Sequence, residues 1–197
     1  MQIRKEFRVE SAHIVRNCTS ERCSHSIHGH SAVIEVIFEG RQLDNAQMLV
    51  DFGLMKGSIK QFIDSMDHCY LLCSHDKPEF REFIKKNCDR YIELPFNPSA
   101  EMLSMFIMIG VQRILDMTEF NNGEETPVRV ASVRYHETTT GYAQCDLTDC
   151  VNYENTIDFD FVEFSDGVKK DWSPELREAL ELGHPIVNPI VERQIDL

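Results

Sequence analysis

Cys23-Ser24-His25-Ser26-Ile27-His28-Gly29-His30 runs without a break into Ser31-Ala32-Val33-Ile34-Glu35-Val36-Ile37-Phe38. In extended chain, alternate side chains share a face. His28 and His30 therefore lie on the side of Ala32, Ile34, Val36 and Phe38, whereas Ser31, Glu35 and Glu39 point the other way. The two imidazoles open the inward face of a strand and can share one metal ion. Upstream, Phe7, Val9, Ser11 and His13 have a common parity, so a neighbouring strand can carry a third imidazole to the same point. Three histidines suit zinc with one position left for water or a substrate oxygen, the arrangement that makes the ion a Lewis acid.

Competing readings follow from the same residues. A lone buried histidine such as His13 is more often a hydrogen-bonded core residue than a ligand; its pairing with His28 and His30 changes that balance. A His-x-His pair also occurs in metal-dependent hydrolase barrels, but such a barrel needs about 250 residues and this chain has 197. Cys23, separated from His28 by four residues, is an alternative fourth ligand, and a closed four-ligand site would be inert. The same thiol is the nearest nucleophile or base. It is useful only as thiolate, a form that zinc or a histidinium nearby favours, so Cys23 is also a candidate general base.

Composition limits the function classes. A hydrophobic content of 42% over 197 residues is ordinary for one core with an appendage, with boundaries expected at 1–150 and 151–197. A net charge of −13 repels nucleic acid and anionic membrane surfaces, so neither is an expected partner, and any phosphate site must be built locally. The longest apolar stretch, Met102 to Val111, is half the roughly 20 residues of a membrane helix. No apolar leader follows a basic start, and seven cysteines without a Cys-x-x-Cys pair suit reduced thiols. A cytoplasmic location is expected.

Beyond the second strand, Arg41 to Gln47 reads as a loop. Phe52, Met55, Ile59, Phe62, Ile63 and Met66 have the spacing of one amphipathic helix, capped by Asp51 and delivering Asp67 and His68 at its C-terminal end. An aspartate orienting a histidine follows the logic of a proton relay, although the same dipeptide is more often a histidine compensating a helix dipole. Residues 74–93 read as an insertion. Asn97 or Ser99 can cap the next helix, with Pro98 suited to its first turn, and Met102 to Leu115 is apolar enough to be buried on more than one side. Strands follow at Val128 to His136 and Tyr142 to Leu147 around a turn at Thr138 to Gly141. Glu137 shares parity with Ala131, Val133 and Tyr135, and an inward carboxylate there needs hydrogen-bond donors, which a ligand with adjacent N–H groups would supply. From Cys150 onward the pattern is that of a docked tail with a short helix over Pro174 to Leu182. The resulting class is α+β in the order ββααββ. Such a unit leaves two sheet edges bare, which joining copies into a closed barrel would cover.

Several signatures then fall in one order: Phe7-x-Val9-x-Ser11-Ala12-His13, Cys23, His28-Gly29-His30, Val50-Asp51-Phe52, Met66-Asp67-His68, Asn97-Pro98-Ser99-Ala100-Glu101 and His136-Glu137-Thr138. Together they resemble the 6-pyruvoyltetrahydropterin synthase and 6-carboxytetrahydropterin synthase family over roughly residues 1–150. The resemblance implies the tunnelling fold, with trimeric barrels stacked into a homohexamer and active sites between subunits. It implies Zn2+ on His13, His28 and His30, Cys23 as base, Asp67 with His68 as relay, and Glu137 anchoring the pterin of 7,8-dihydroneopterin triphosphate. The Ser-Ile-His-Gly-His-Ser context suits the 6-carboxy branch, which releases acetaldehyde as well as triphosphate and feeds 7-deazaguanine and queuosine synthesis. The pyruvoyl branch and a non-catalytic zinc- or pterin-binding relative are the alternatives. Arg16, Arg22 and Lys56 are candidate triphosphate cations, and His25 has no family counterpart. The tail after Cys150 and the interval between Cys23 and His28 depart from the family pattern.

Overall fold

Alternating apolar residues in two long segments produce an antiparallel ribbon, β1 (Gln2–His13) and β2 (His28–Glu39), in continuous register from Gln2 opposite Glu39 to His13 opposite His28. The computed structural model describes residues 1–123, 128–153 and 155–195. The connection between the two strands carries a short helix, α1 (Glu21–His25). After a loop come α2 (Phe52–Lys56) and α3 (Ser58–Asp64). The sequence predicts one helix here. Asp51 does cap it, its Oδ1 accepting from the Gly53 amide at 2.6 Å, but Gly57 at φ −86°, ψ −116° breaks the helical path between the two halves.

The residues read as an insertion fold into regular structure. β3 (Cys69–Cys73), α4 (Pro78–Asn87) and β4 (Tyr91–Leu94) precede the long α5 (Ala100–Asp116). The chain continues through β5 (Thr118–Glu119), β6 (Arg129–Thr138), β7 (Gly141–Cys145) and α6 (Leu147–Asn152). A 3-10 turn at Phe159–Phe161 leads to β8 (Glu163–Phe164), α7 (Asp166–Lys169), α8 (Pro174–Leu182) and β9 (Ile186–Val187). A seven-stranded mixed sheet in the order β7-β6-β2-β1-β3-β4-β8 results, with β5 and β9 forming a separate parallel pair. The element order is thus richer than ββααββ. Two parallel strands and a helix stand between the α3 and α5 segments because Tyr70, Leu72 and Ile84 supply a small apolar cluster of their own, joined by Ala12, Phe80 and Tyr91.

The main core lies on the other face of the sheet. Phe7, Val9, Ala32, Ile34, Val36 and Phe38 meet Ile59, Phe62 and Ile63 of α3 and Leu103, Phe106, Ile107 and Val111 of α5, and burying each such side chain contributes about 1.5–3 kcal/mol. Close approach of the two helices requires Gly110, where a Cβ would meet Phe62 Cζ at 2.2 Å. Val168, Trp172, Leu176 and Ala179 from beyond residue 150 join the same core. Leu176 and Ala179 lie on α8, which spans the residues the sequence predicts and ends on Gly183 at φ 72°, a left-handed cap that glycine adopts without cost.

Candidate functional site

His13 and His28 are cross-strand partners at the open end of the β1–β2 ribbon, and His30 follows on the same face. The ring centroids of His13 and His28 lie 4.6 Å apart, and each is 5.2 Å from that of His30. The three donor atoms fall within 4.8 Å of one another, and among the described residues they form the single such cluster of histidine, cysteine or carboxylate donors.

The chain also fixes which nitrogen each ring presents. His13 Nδ1 lies 2.8 Å from the Pro98 carbonyl oxygen; a carbonyl only accepts, so Nδ1 carries the proton and Nε2 the lone pair. That Nε2 is buried and has no hydrogen-bond partner, a state that costs about 1–3 kcal/mol when nothing compensates it. His28 Nδ1 is likewise 3.0 Å from the Ser26 carbonyl. Carbonyls behind two of the rings orient them as second partners orient metal-bound histidines. Burial pushes the His13 pKa down to about 4, the Pro98 bond opposing and the two neighbouring imidazoles assisting, so the ring is neutral and able to ligate at physiological pH. The donor set therefore fits zinc.

Pro98 does this from outside the helix. The sequence places it in the first turn of α5, whereas Ser99 is the N-cap, accepting from the Met102 amide at 3.4 Å, and Pro98 precedes it. Asn97 is engaged elsewhere, exchanging two hydrogen bonds with the backbone of Arg16 at 2.9 and 2.7 Å. The register of β6 and β7 slips between Tyr135 and Thr138, and Glu137 in that irregular stretch sets Oε1 3.5 Å from His13 Nε2 and 3.7 Å from His30 Nε2. The carboxylate stands beside the imidazole cluster.

Cys23 sits half-buried on α1, inside the connection whose ends are His13 and His28, and its carbonyl accepts from the Val15 amide at 3.0 Å. Its thiol lies outside the donor cluster. Asp67 and His68 occupy the turn between α3 and β3. Asp67 Oδ1 accepts from the Glu10 amide at 2.7 Å and Oδ2 from His68 Nδ1 at 2.9 Å. Burial alone would raise the Asp67 pKa; these two bonds, with the charges of His68 and Arg90, outweigh it and hold the carboxyl below its ordinary value. His68 is exposed and left-handed at φ 51°, a conformation that nothing in its sequence context signals. His30 and His68 border one open cleft of about 760 Å³, together with Ser11, Gly29 and Tyr70.

The remaining candidates separate clearly. Arg16 is committed to structure, its Nε donating to Asp76 at 2.6 Å and its Nη1 to the Ser24 carbonyl at 3.0 Å. Arg22 and Lys56 are exposed. His25 is exposed and bonded through Nδ1 to the Ser24 hydroxyl at 2.8 Å, apart from the imidazole cluster. Sequence reasoning missed Pro98 as the group orienting His13, and it missed Arg90, which lines a 430 Å³ cavity with Asp67, His68 and Trp172.

Comparison with known proteins finds relatives of this chain. A family profile described as 6-pyruvoyl tetrahydropterin synthase matches residues 2–147. A Helicobacter pylori (strain J99 / ATCC 700824) protein named 6-carboxy-5,6,7,8-tetrahydropterin synthase is 40% identical over 174 residues, covering 87% of this chain and 86% of the relative. A protein of the same name from Aquifex aeolicus is 28% identical, covering 73% of this chain and 96% of its own. Among solved structures, an uncharacterized protein from Wolinella succinogenes superposes with a TM-score of 0.59 at 22% identity, over 75% of this chain and 98% of that one. A 6-pyruvoyltetrahydropterin synthase from Plasmodium vivax gives 0.53 at 13% identity, over 74% and 96%; at such identities the likeness concerns the fold.

Proposed function

This chain belongs to the 6-pyruvoyl tetrahydropterin synthase family, an enzyme family, and on that premise we propose that it is a zinc-dependent 6-carboxy-5,6,7,8-tetrahydropterin synthase. Its substrates would be 7,8-dihydroneopterin triphosphate and one water, and its products 6-carboxytetrahydropterin, acetaldehyde and triphosphate, on the route to 7-deazaguanines and queuosine. The observation that carries the reading is the buried, unpartnered Nε2 of His13 beside His28 and His30. The names of the Helicobacter and Aquifex relatives favour the 6-carboxy branch over the pyruvoyl one.

His13, His28 and His30 would hold the zinc, which when bound supplies Lewis acidity toward the oxygens of the substrate side chain. Cys23, on the loop closed by His13 and His28, serves as general base, taking a proton from that side chain. His68 handles the second proton. Because its Nδ1 donates to Asp67, Nε2 is the atom left to accept and return a proton. Glu137 offers two carboxylate oxygens to adjacent N–H donors of a pterin ring, which would fix ring orientation beside the imidazoles.

The assembly reading extends to a homohexamer built as a dimer of trimers. It is supported by β1, which among the described residues β3 pairs only over Ser11 to His13, leaving the edge from Gln2 to Val9 without a strand partner there and able to take a strand of another copy. All seven cysteines are unpaired, which supports a reducing, cytoplasmic setting. No helix among the described residues is long and apolar enough to cross a membrane. Residues 1–150 then form the synthase domain and 151–197 an extension packed on it.

The test is incubation of zinc-loaded protein with 7,8-dihydroneopterin triphosphate and mass spectrometry of the pterin product and of acetaldehyde. Carboxytetrahydropterin with acetaldehyde is the expected result. Pyruvoyltetrahydropterin without acetaldehyde would move the protein to the other branch, and unchanged substrate would overturn both.

A further inference from the structure

Arg90 ties three separate parts of the chain together at the turn that carries Asp67 and His68. Its Nε donates to the Asp67 carbonyl at 3.0 Å and Nη2 to the Asp64 carbonyl at 3.0 Å. Nη1 donates to the Gly167 carbonyl at 2.9 Å and pairs with Asp171 at 2.5 Å. Asp64 ends α3, where backbone carbonyls lack helical partners, and a guanidinium with its rigid fork is the side chain that can serve several such carbonyls at once.

What the fork restrains is a strained point. A non-glycine residue in the left-handed region costs about 1–2 kcal/mol and persists only where its surroundings over-determine it. His68 at φ 51° is locked by its own amide donating to the Glu10 carbonyl at 2.6 Å and by the Glu10 amide donating to Asp67 at 2.7 Å. Those bonds fix the turn from the β1 side, and Arg90 fixes it from the opposite side.

Residues beyond 150 hold Arg90 in turn. Ser165 Oγ donates to the Asp89 carbonyl at 2.9 Å and accepts from the Tyr91 amide at 3.0 Å, bracketing Arg90 in sequence. Gly167 lies so near that a Cβ would meet the Asp89 carbonyl oxygen at 2.2 Å. Trp172, 8% exposed, donates from Nε1 to Ser65 Oγ at 2.8 Å, and the Ser173 amide donates to Gln61 at 2.7 Å. Every one of these contacts converges on the end of α3 or on its clamp.

We propose that Arg90, braced by residues 165–173, is a positioning residue that aims the Asp67–His68 pair by restraining the 64–68 turn. The C-terminal segment then belongs to the relay apparatus as well as to the core. This rests on the reading of Asp67 and His68 as a proton relay, and the experiment separates the two.

The full-length, zinc-loaded protein is compared with Arg90→Gln, Arg90→Lys and His68→Ala by amide hydrogen exchange and by steady-state kinetics. Loss of the clamp should raise exchange of the His68 amide at least about tenfold in Arg90→Gln while β2 and β6 stay protected. Turnover should fall about tenfold with KM within about twofold and zinc content unchanged, the signature of a misaimed proton-transfer group. Arg90→Lys, which keeps the charge but not the fork, should fall between the two and takes over both measurements if Arg90→Gln does not fold. Wild-type exchange at His68 in a folded variant would overturn the positioning role. Full turnover in His68→Ala would instead overturn the relay reading, leaving the exchange result to decide the clamp.

Discussion

Replacing His13 by Asn in the metal-free protein should remove a defined piece of its acid sensitivity. Asn keeps an N–H placed to donate to the Pro98 carbonyl, so the perturbation is chiefly loss of the titrating ring. An unfolded imidazole takes its proton near pH 6.5, whereas burial holds folded His13 down to about 4. Between those values the unfolded chain binds more protons, so acid favours unfolding. The contribution is whole above pH 6.5, falls as pH drops, and is exhausted below the folded value. At about 1.4 kcal/mol per pH unit, the full gap corresponds to about 3 kcal/mol, of which about 2 kcal/mol is lost between pH 7 and pH 5. Urea unfolding of chelator-treated wild type and His13→Asn, at one protein concentration and at both pH values, measures it. Wild type should lose about 2 kcal/mol more than the variant across that interval. If the two proteins lose stability equally within about 0.5 kcal/mol, the extrapolation error of such curves, the account of His13 as a ring kept neutral by burial is refuted. Zinc added at pH 7 should stabilise wild type and leave the variant nearly unchanged.

Gly110→Ala should lower stability by about 1–3 kcal/mol, read as a fall in Tm, because the added methyl strikes Phe62 where α3 and α5 touch; an unchanged Tm would mean the helices separate freely. Glu93 is buried between Arg81 and Lys85, and although burial raises its pKa, the two cations outweigh it and lower the value below 4.5. Its stabilisation is present above that value and lost as pH falls through the folded one, so Glu93→Gln should cost about 1–3 kcal/mol at pH 7 and progressively less as the medium is acidified. A pH-independent cost would show that shape rather than charge is at work. Cys23→Ala should retain its zinc, measured by metal analysis, while turnover drops at least about 100-fold; loss of the metal would make Cys23 a ligand instead.

The imidazole cluster was legible in the sequence because period-two alternation is rigid. Once His28 and His30 share the parity of Ile34 and Val36, and His13 that of Val9, only the register remained to be learned, and His13 opposite His28 supplied it. Helix α8 was legible for a similar reason, with Ser173 capping, Pro174 following and Gly183 closing it. The stretch from Cys69 to Leu94 resisted because β3 and β4 are short parallel strands: β3 is five buried residues without alternation, and β4 is only four residues long with the ion-paired Glu93 among them. The break at Gly57 was hidden by an apolar spacing that continues across it. Among site residues, the orientation of His13 by Pro98 and of the 64–68 turn by Arg90 depends on pairings 85 and up to 81 positions apart, which no local pattern encodes.

Because His13 and His28 face each other across adjacent strands, the segment between them is a loop whose two ends are already clasped. Residues can be added to it, removed or exchanged without shifting either imidazole, since cross-strand pairing and not loop length sets their separation. The geometry of the imidazoles and the placement of Cys23 are therefore separately heritable. Lineages carrying this scaffold are free to shift the thiol, and even to move it along the loop, while the corner that gathers the three imidazoles stays as it is.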